Sequence, residues 1–557
     1  MAFSRGVLFS WLVVLAAPGC AHRAAARAAE VDARPWYFVM VDRFANGDRS
    51  NDGAIDLRDP QAFHGGDLRG LIEHLDELRA LGVGTVWVSP VFAMRTEPFH
   101  GYGAFHGYWT YALDRLEPRF GTVAELRELR DALHARGMRL VLDLVLNHVG
   151  PDAPLTREHP EWFHHEGGLE DWNDPVQLTT HDVQGLPDLA QERPEVYAHL
   201  LQATRGWLTA IEPDGFRLDA VKHVPLPVWR RFSDDTGVAR SGGAFVGELF
   251  DGSPATLAEA WRAGGFTGLF DFPLRGALDE VFCGGRSPAM LATVLSLDRL
   301  YPDPAALVTL VDNHDLPRLA SRCRGELGAM ASALTFLYAV RGVPCLTWGT
   351  EVPLEGAGEP DNRADMRFDG QRLRELLATL ATLRAEHPAL RRGSMRVVEA
   401  SAERLVVERL SEDEAVRVTV ARGGLGVPSP GFSVVSLPLA DAVRVEFRRG
   451  DFRPAFAAAD AQWRRGAHTR EVQVRVTEPL ARVVGSAPEV GGWVPQQAIA
   501  PRDGVASLRL PVGAVVELKL VRPDGAGAFA WSSGDNTTVF VTDAAGPLVV
   551  DLPWRSP

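Results

Sequence analysis

The sequence predicts a closed (β/α)8 barrel followed by two antiparallel β-sandwich domains, and three observations carry that expectation. Eight short runs rich in β-branched residues recur between residues 36 and 348. Helical patterns such as VAELRELRDALHARG (123–137) lie between most of them. Beyond about residue 393 the helical periodicity gives way to short alternating runs separated by turns.

The eight candidate strands are WYFVMV (36–41), TVWVS (85–89), RLVLDLVL (139–146), GFRLD (215–219), AFVGE (244–248), GLFDF (268–272), ALVTLV (306–311) and VPCLTW (343–348). A doubly wound sheet is the alternative, and eight successive units count against it. The connection 149–187 is rich in Pro, His, Gly and Asp and too long for an ordinary loop, so it predicts an excursion over one barrel face. The barrel unit is assigned to 31–393. RLVVERL (404–410) and AVRVTVA (415–421) then mark a first β-domain, 394–465. EVQVRV, ASLRL, VVELKLV and TTVFV mark a second, 466–557.

With 557 residues the chain exceeds one ordinary core. A net charge of −14 without a long basic run argues against a nucleic-acid partner. Residues 1–20 read as a signal peptide: Arg5 precedes an apolar stretch that ends at Pro18-Gly19-Cys20. A secreted protein is therefore expected, with lipid anchoring through Cys20 as a variant, and the chain is read as a monomer. Cys283, Cys323 and Cys345 remain after cleavage. One disulfide, such as Cys283 to Cys323, is compatible with that number, and so are buried apolar cysteines; the spacing suggests neither zinc nor a redox pair.

Three carboxylates stand out: Asp219 in GFRLDAVKH, Glu248 in FVGELF and Asp315 in LVDNHD, each following an apolar run that reads as a strand end. Arg217 and Asp219 are two apart, which places them on one side of a strand and lets the guanidinium hold the carboxylate ionised, as a nucleophile requires. Glu248, at the end of the next strand, suits a proton donor. Together the two would attack a glycosidic bond, with Asp315 gripping sugar hydroxyls. Singly, each acid is more simply a cap or part of a structural ion pair; three at one barrel mouth favour chemistry. His148 and His314 are candidate hydrogen-bond donors, Tyr108 a candidate stacking surface, and Lys222 a candidate for the leaving-group side. NGDRSND offers Asn46, Asp48, Asn51 and Asp52, and HGGD adds Asp67 and the Gly65 carbonyl. These oxygens suit calcium, although the spacing is not that of an EF-hand and a solvated turn is the plainer alternative.

Taken together, DLVLNHVG (143–150), GFRLDAVKH (215–223), GELF (247–250) and VDNHD (311–315), with GLPDL (185–189) and GVPCLTWGTE (342–351), resemble the sequence regions of the α-amylase family of glycoside hydrolases. The resemblance implies Asp219 as nucleophile, Glu248 as general acid/base and Asp315 as transition-state stabiliser. It places Arg217, His148, His314 and Tyr108 around the cleaved residue, and Glu359 and Arg363 of EPDNR at the next sugar. It implies one or two calcium ions. One would bind Asn147, Asp188 and the His223 carbonyl, with a shortened loop around it; the other would bind the DRFANGDRSND stretch. VVGSAPEVGGW (483–493), LPVGAVVELKLV (510–521) and FAWSSGDNTTVFV (529–541) resemble a family-20 starch-binding module, which implies sugar contacts from Trp493, Lys519, Trp531 and Asn536. The expected activity is retaining endo-hydrolysis of α-1,4-glucosidic bonds in starch, amylose and maltooligosaccharides. A transglycosylase such as a cyclodextrin glucanotransferase, or a maltose-forming exo-amylase, is the alternative. A non-catalytic glucan-binding protein is disfavoured by three intact acids.

Overall fold

The computed structural model describes residues 33–370, 372–465, 468–524 and 528–556. The candidate signal peptide and Cys20 lie outside them. Among the described residues no helix is long and apolar enough to cross a membrane.

Eight parallel strands form the barrel: β1 (Trp36–Val39), β2 (Thr85–Val88), β3 (Arg139–Leu144), β4 (Gly215–Leu218), β5 (Ala244–Gly247), β6 (Gly268–Leu269), β7 (Val308–Leu310) and β8 (Val343–Thr347). Their order around the sheet is β6-β5-β4-β3-β2-β1-β8-β7, and a parallel bridge from Phe270 to Val308 closes the ring. The strands are almost wholly buried, as expected where side chains fill the barrel and helices cover its outside. The helix at Val123–Ala135 shows how local sequence sets these elements. Thr122 caps it, Glu125 completes a reciprocal capping box, and Leu126, Leu129 and Leu133 form its buried stripe.

Two barrel strands are shorter than expected. GLFDF gives only Gly268–Leu269, because Asp271 accepts from Leu274 N and caps a helix that starts at Phe272 with Pro273 in its first turn. WYFVMV ends at Val39, where a short helix begins at Val41. The 149–187 connection carries only short helices and 3-10 turns, and is tied to the barrel mouth by bridges His148–Asp188 and Phe163–Leu189.

The first appendage is a single five-stranded antiparallel sheet, Ser394–Ala400 to Val443–Arg449 with Ser433–Val434 at its edge. It differs from the expected two-sheet sandwich because its second layers come from elsewhere. Leu405, Val407, Val416, Val418 and Val445 join the barrel's core, and the helix Arg453–Arg465 is packed on the sheet through Ala459. The second appendage is a two-sheet sandwich. Its sheets hold Val505–Pro511, Thr469–Val476 and Leu548–Leu552 on one side, and Arg482–Gly485, Val515–Pro523, Phe529–Trp531 and Thr537–Phe540 on the other. One pairing within it, Thr469–Val476 with Leu548–Leu552, is parallel. Cys283 and Cys323 form a disulfide, and Cys345 is buried and free.

Candidate active site

The carboxyl-terminal ends of the barrel strands open into a cleft of about 600 Å³. Arg217 on β4 is fully buried and organises its floor. Register places Arg217 beside Asp143 of β3, and its Nη1 donates to both Asp143 oxygens (2.9 and 3.0 Å) and to Asp219 Oδ1 (2.7 Å). Its Nη2 lies 2.5 Å from Glu248 Oε1. One guanidinium fork thus contacts both acids, so they face each other at one mouth instead of standing at opposite barrel ends.

The backbone enforces the same meeting. Asp219 N bonds Leu144 O (3.0 Å) and Glu248 N bonds Leu218 O (2.9 Å), continuing the parallel ladder one residue past each strand. Ala220 then turns the chain sharply in the left-handed region, φ 48°, a conformation that costs a non-glycine residue about 1 kcal/mol. Its neighbour Val221 N bonds the Glu248 carbonyl (3.0 Å), which locks the two strand ends together.

Burial pushes the Glu248 carboxyl up to about 8. Arg217 opposes that shift, while the charges of Asp219, Asp315 and Asp143 add to it. Asp315 goes the other way: desolvation raises it, but His314, Arg363 and Arg217 outweigh that and hold it below its ordinary value. Arg363 Nη2 lies 3.0 Å from Asp315 Oδ1 and also pairs with Glu359. His148 and His314 are lowered chiefly by burial, His314 to about 3, and both are neutral imidazoles at neutral pH. Each has an Nδ1 without a hydrogen-bond partner among the described residues. Lys222 Nζ reaches Asp251 (3.3 Å) at the rim.

Tyr108 follows Gly107, where a Cβ would come 2.2 Å from the Pro90 carbonyl oxygen; only glycine permits that approach. The Tyr108 ring stacks on His314 (5.0 Å, 5°) and its hydroxyl donates to Asp143 (2.9 Å). All of the expected cleft residues therefore converge: Tyr108, His148, Asp219, Lys222, Glu248, His314, Asp315, Glu359 and Arg363 line it, above Arg217.

Asp143 received no role from the sequence, yet it takes hydrogen bonds from Arg217, Tyr108 and Trp87, and burial pushes it up to about 7. The available signal was a lone acid within the apolar run RLVLDLVL. Tyr102, His106, Trp109 and Phe250 also line the cleft and were missed. They come from loops whose path no periodicity reveals.

The first candidate calcium set also meets in space. One end of the Asn147 amide lies 2.8 Å from the His223 carbonyl oxygen and 3.0 Å from Asp188 Oδ1. With nitrogen there, the amide donates to both; with oxygen there, three oxygens face one another, an arrangement a hard cation relieves. His164 holds the other Asp188 oxygen (2.5 Å) and reaches Glu192 (3.1 Å). At the second set, Asp67 accepts from Gly47 N, Asp48 N, Asn51 Nδ2 and Gly70 N, and so clasps the loop. Asn46 donates to Asp52 (2.7 Å). Gly65 has φ 90° and no space for a side chain against that pair. Asn51 Oδ1 is buried without a hydrogen-bond partner among the described residues, an oxygen that a cation would complete. Among the described residues no group of three or more His, Cys, Asp or Glu could hold a metal ion; amide and carbonyl oxygens are essential to both sets.

In the second sandwich, Trp493 and Trp531 lie 6.3 Å apart at 44°, with Trp531 40% exposed. Lys519 donates to Gly534 O (2.7 Å) and Asn536 to Glu517 (2.8 Å). Lys519 and Trp531 thus lie on one sheet, and Trp493 and Asn536 on two loops beside it.

The family model described as "Alpha amylase, catalytic domain" matches residues 38–173. A beta/alpha-amylase of Paenibacillus polymyxa is 32% identical over 382 residues, 65% of this chain; the match spans only 31% of that longer protein. A cyclomaltodextrin glucanotransferase of Klebsiella oxytoca is 27% identical over 604 residues, covering 90% of this chain and 91% of its own. The crystal structure of an Anoxybacillus α-amylase superposes with a TM-score of 0.69 at 31% identity, covering 75% of this chain and 96% of that one. The chain belongs to the α-amylase family of glycoside hydrolases.

Proposed function

We propose that the protein hydrolyses internal α-1,4-glucosidic bonds of starch and related glucans with retention of anomeric configuration. The observation that carries this reading is the shared Arg217 fork, with Asp219 on one tine and Glu248, raised to about 8, on the other. Glu248 enters protonated and gives its proton to the glycosidic oxygen as that bond breaks. Asp219, held by Arg217, attacks the anomeric carbon and forms a glycosyl ester. Water then replaces Asp219, losing its proton to Glu248, which restores both groups. Asp315, fixed by Arg363, stabilises the oxocarbenium-like state. The neutral imidazoles of His148 and His314 bind hydroxyls without adding charge beside it.

Asn147, Asp188 and the His223 carbonyl would hold one calcium ion. Asn46, Asp48, Asn51, Asp52, Asp67 and the Gly65 carbonyl would hold a second. Calcium would supply cross-linking of the cleft-side loops. The second sandwich is read as a starch-binding module, with Trp493 and Trp531 against apolar sugar faces and Lys519 and Asn536 near hydroxyls.

A transglycosylase reading is favoured by the relative from Klebsiella oxytoca and by the half-exposed Phe250 in the cleft wall close to Glu248, an apolar group that would disfavour water over a sugar acceptor. Chromatography of soluble-starch digests separates these readings. Linear mixed oligosaccharides support endo-hydrolysis, cyclic products support transglycosylation, and maltose alone would replace both with an exo mode.

A further inference from the structure

Four barrel residues within 296–300, namely Ser296, Leu297, Arg299 and Leu300, reach the C-terminal sandwich. Leu297 belongs to the same buried cluster as the sandwich's own Val472, Val483, Leu518 and Leu520, and Leu300 packs against that cluster. Ser296 Oγ donates to the Val515 carbonyl (2.9 Å). Arg299 Nη2 meets both oxygens of Glu489 (2.7 and 2.8 Å), with only 11% of its side chain exposed. Asp298 between them turns inward. It is fully buried and takes hydrogen bonds from Arg341 Nε (2.9 Å) and from Trp463 Nε1 (3.0 Å) on the helix Arg453–Arg465.

That helix makes the third contact. Gln462 Nε2 donates to the Val512 carbonyl (2.6 Å), and the next residue, Gly513, has φ 83°. A Cβ there would fall 1.7 Å from Gln462 Nε2, so that amide lies directly over the turn, whose positive φ is what calls for glycine. The contact extends toward the aromatic face: Arg286 of the barrel lies 3.6 Å from Asp535, the neighbour of Asn536. This exposed pair adds little stability, but it locates the barrel surface beside the sugar loop.

A module on a flexible tether raises only the local concentration of its polymer. A module whose core is completed by a side chain from the barrel also has an orientation. We propose that residues 296–300 act as a bolt that fixes the C-terminal sandwich in one orientation on the barrel, with Leu297 and Arg299 as positioning residues for its Trp493/Trp531 face. The docking stands on these contacts alone. Its consequence for polymer digestion rests on the glucan-binding reading of the sandwich given above.

The test uses the full-length chain with Leu297→Ala and Arg299→Glu combined, and a charge exchange, Arg299→Glu with Glu489→Arg. Calorimetry reads the docking. Starch-granule digestion per adsorbed molecule, set against turnover of a short chromogenic maltooligosaccharide, reads the positioning. The wild type is expected to unfold in one transition and the first variant in two. The first variant should turn over the short substrate within twofold of wild type but digest granules at least threefold more slowly per adsorbed molecule. The charge exchange, which re-forms the ion pair with Leu297 in place, should match the wild type in both readouts. Separate transitions in the wild type, or unchanged granule digestion in the first variant, would overturn the proposal. A wild type that fails to adsorb to granules removes the glucan-binding reading, while calorimetry still decides the docking.

Discussion

The barrel mouth and the aromatic face of the C-terminal sandwich handle polar groups in opposite ways. In the cleft, Arg217 is fully buried and Asp143, Asp219 and Glu248 are all held by its guanidinium. In the sandwich, Trp531 is 40% exposed, and the polar neighbours Lys519 and Asn536 rest on Gly534 and Glu517. Charge that must act in a transition state has to be oriented beforehand and kept from water. If the sandwich grips a neutral polymer, as proposed, it needs only flat apolar area with hydroxyl partners at its edge. The contrast makes cleft substitutions large in effect and sandwich substitutions small and substrate-dependent.

The largest effect is expected at Glu248. Glu248→Gln keeps the shape but removes the transferable proton, and should cut kcat on soluble starch by about 10²–10⁴-fold or more while granule adsorption is retained. The wild type should show a basic limb in kcat/KM near pH 8, because Glu248 carries its proton below that value and loses it as pH rises through it. A variant with near-wild-type turnover, or a wild-type profile flat through pH 8–9, would remove Glu248 from the acid role.

A smaller effect is expected at Trp531. Trp531→Ala should weaken granule adsorption by roughly tenfold, the scale of losing one aromatic anchor of about 1–2 kcal/mol, and leave turnover of short soluble substrates unchanged. Unaltered adsorption would take the sandwich out of starch binding. Smallest is the effect of chelation: removing calcium should lower Tm by several degrees, reversed by adding calcium back, through loss of binding to the folded state alone. No shift in either direction would leave the Asn147 and Asn51 clusters as ordinary polar turns.

The same contrast explains what the sequence could show. The barrel strands were legible because buried parallel strands are continuous apolar runs, and Asp219 and Glu248 were legible because each interrupts such a run at its end. The bridging of both acids by Arg217 was only half legible: the spacing of Arg217 and Asp219 placed them together, but its contacts with Asp143 and Glu248 depend on strand register, which pattern does not encode. Asp271 converted the end of GLFDF into a helix cap, a choice local propensity leaves open. Tyr102, Trp109 and Phe250 reach the cleft from loops, and Leu297 sits in another unit's core; both facts arise from long-range packing with no periodic trace.

The proposed mechanism turns on Asp219 and Glu248 meeting at one anomeric carbon. Treating the Glu248→Gln enzyme with an α-maltosyl fluoride, whose leaving group needs no proton, and mapping the trapped adduct by peptide mass spectrometry tests it most directly. A maltosyl ester on Asp219, absent in an Asp219→Asn control, is expected. A maltosyl group on another carboxylate, or inversion to the β-anomer with no adduct, would contradict it.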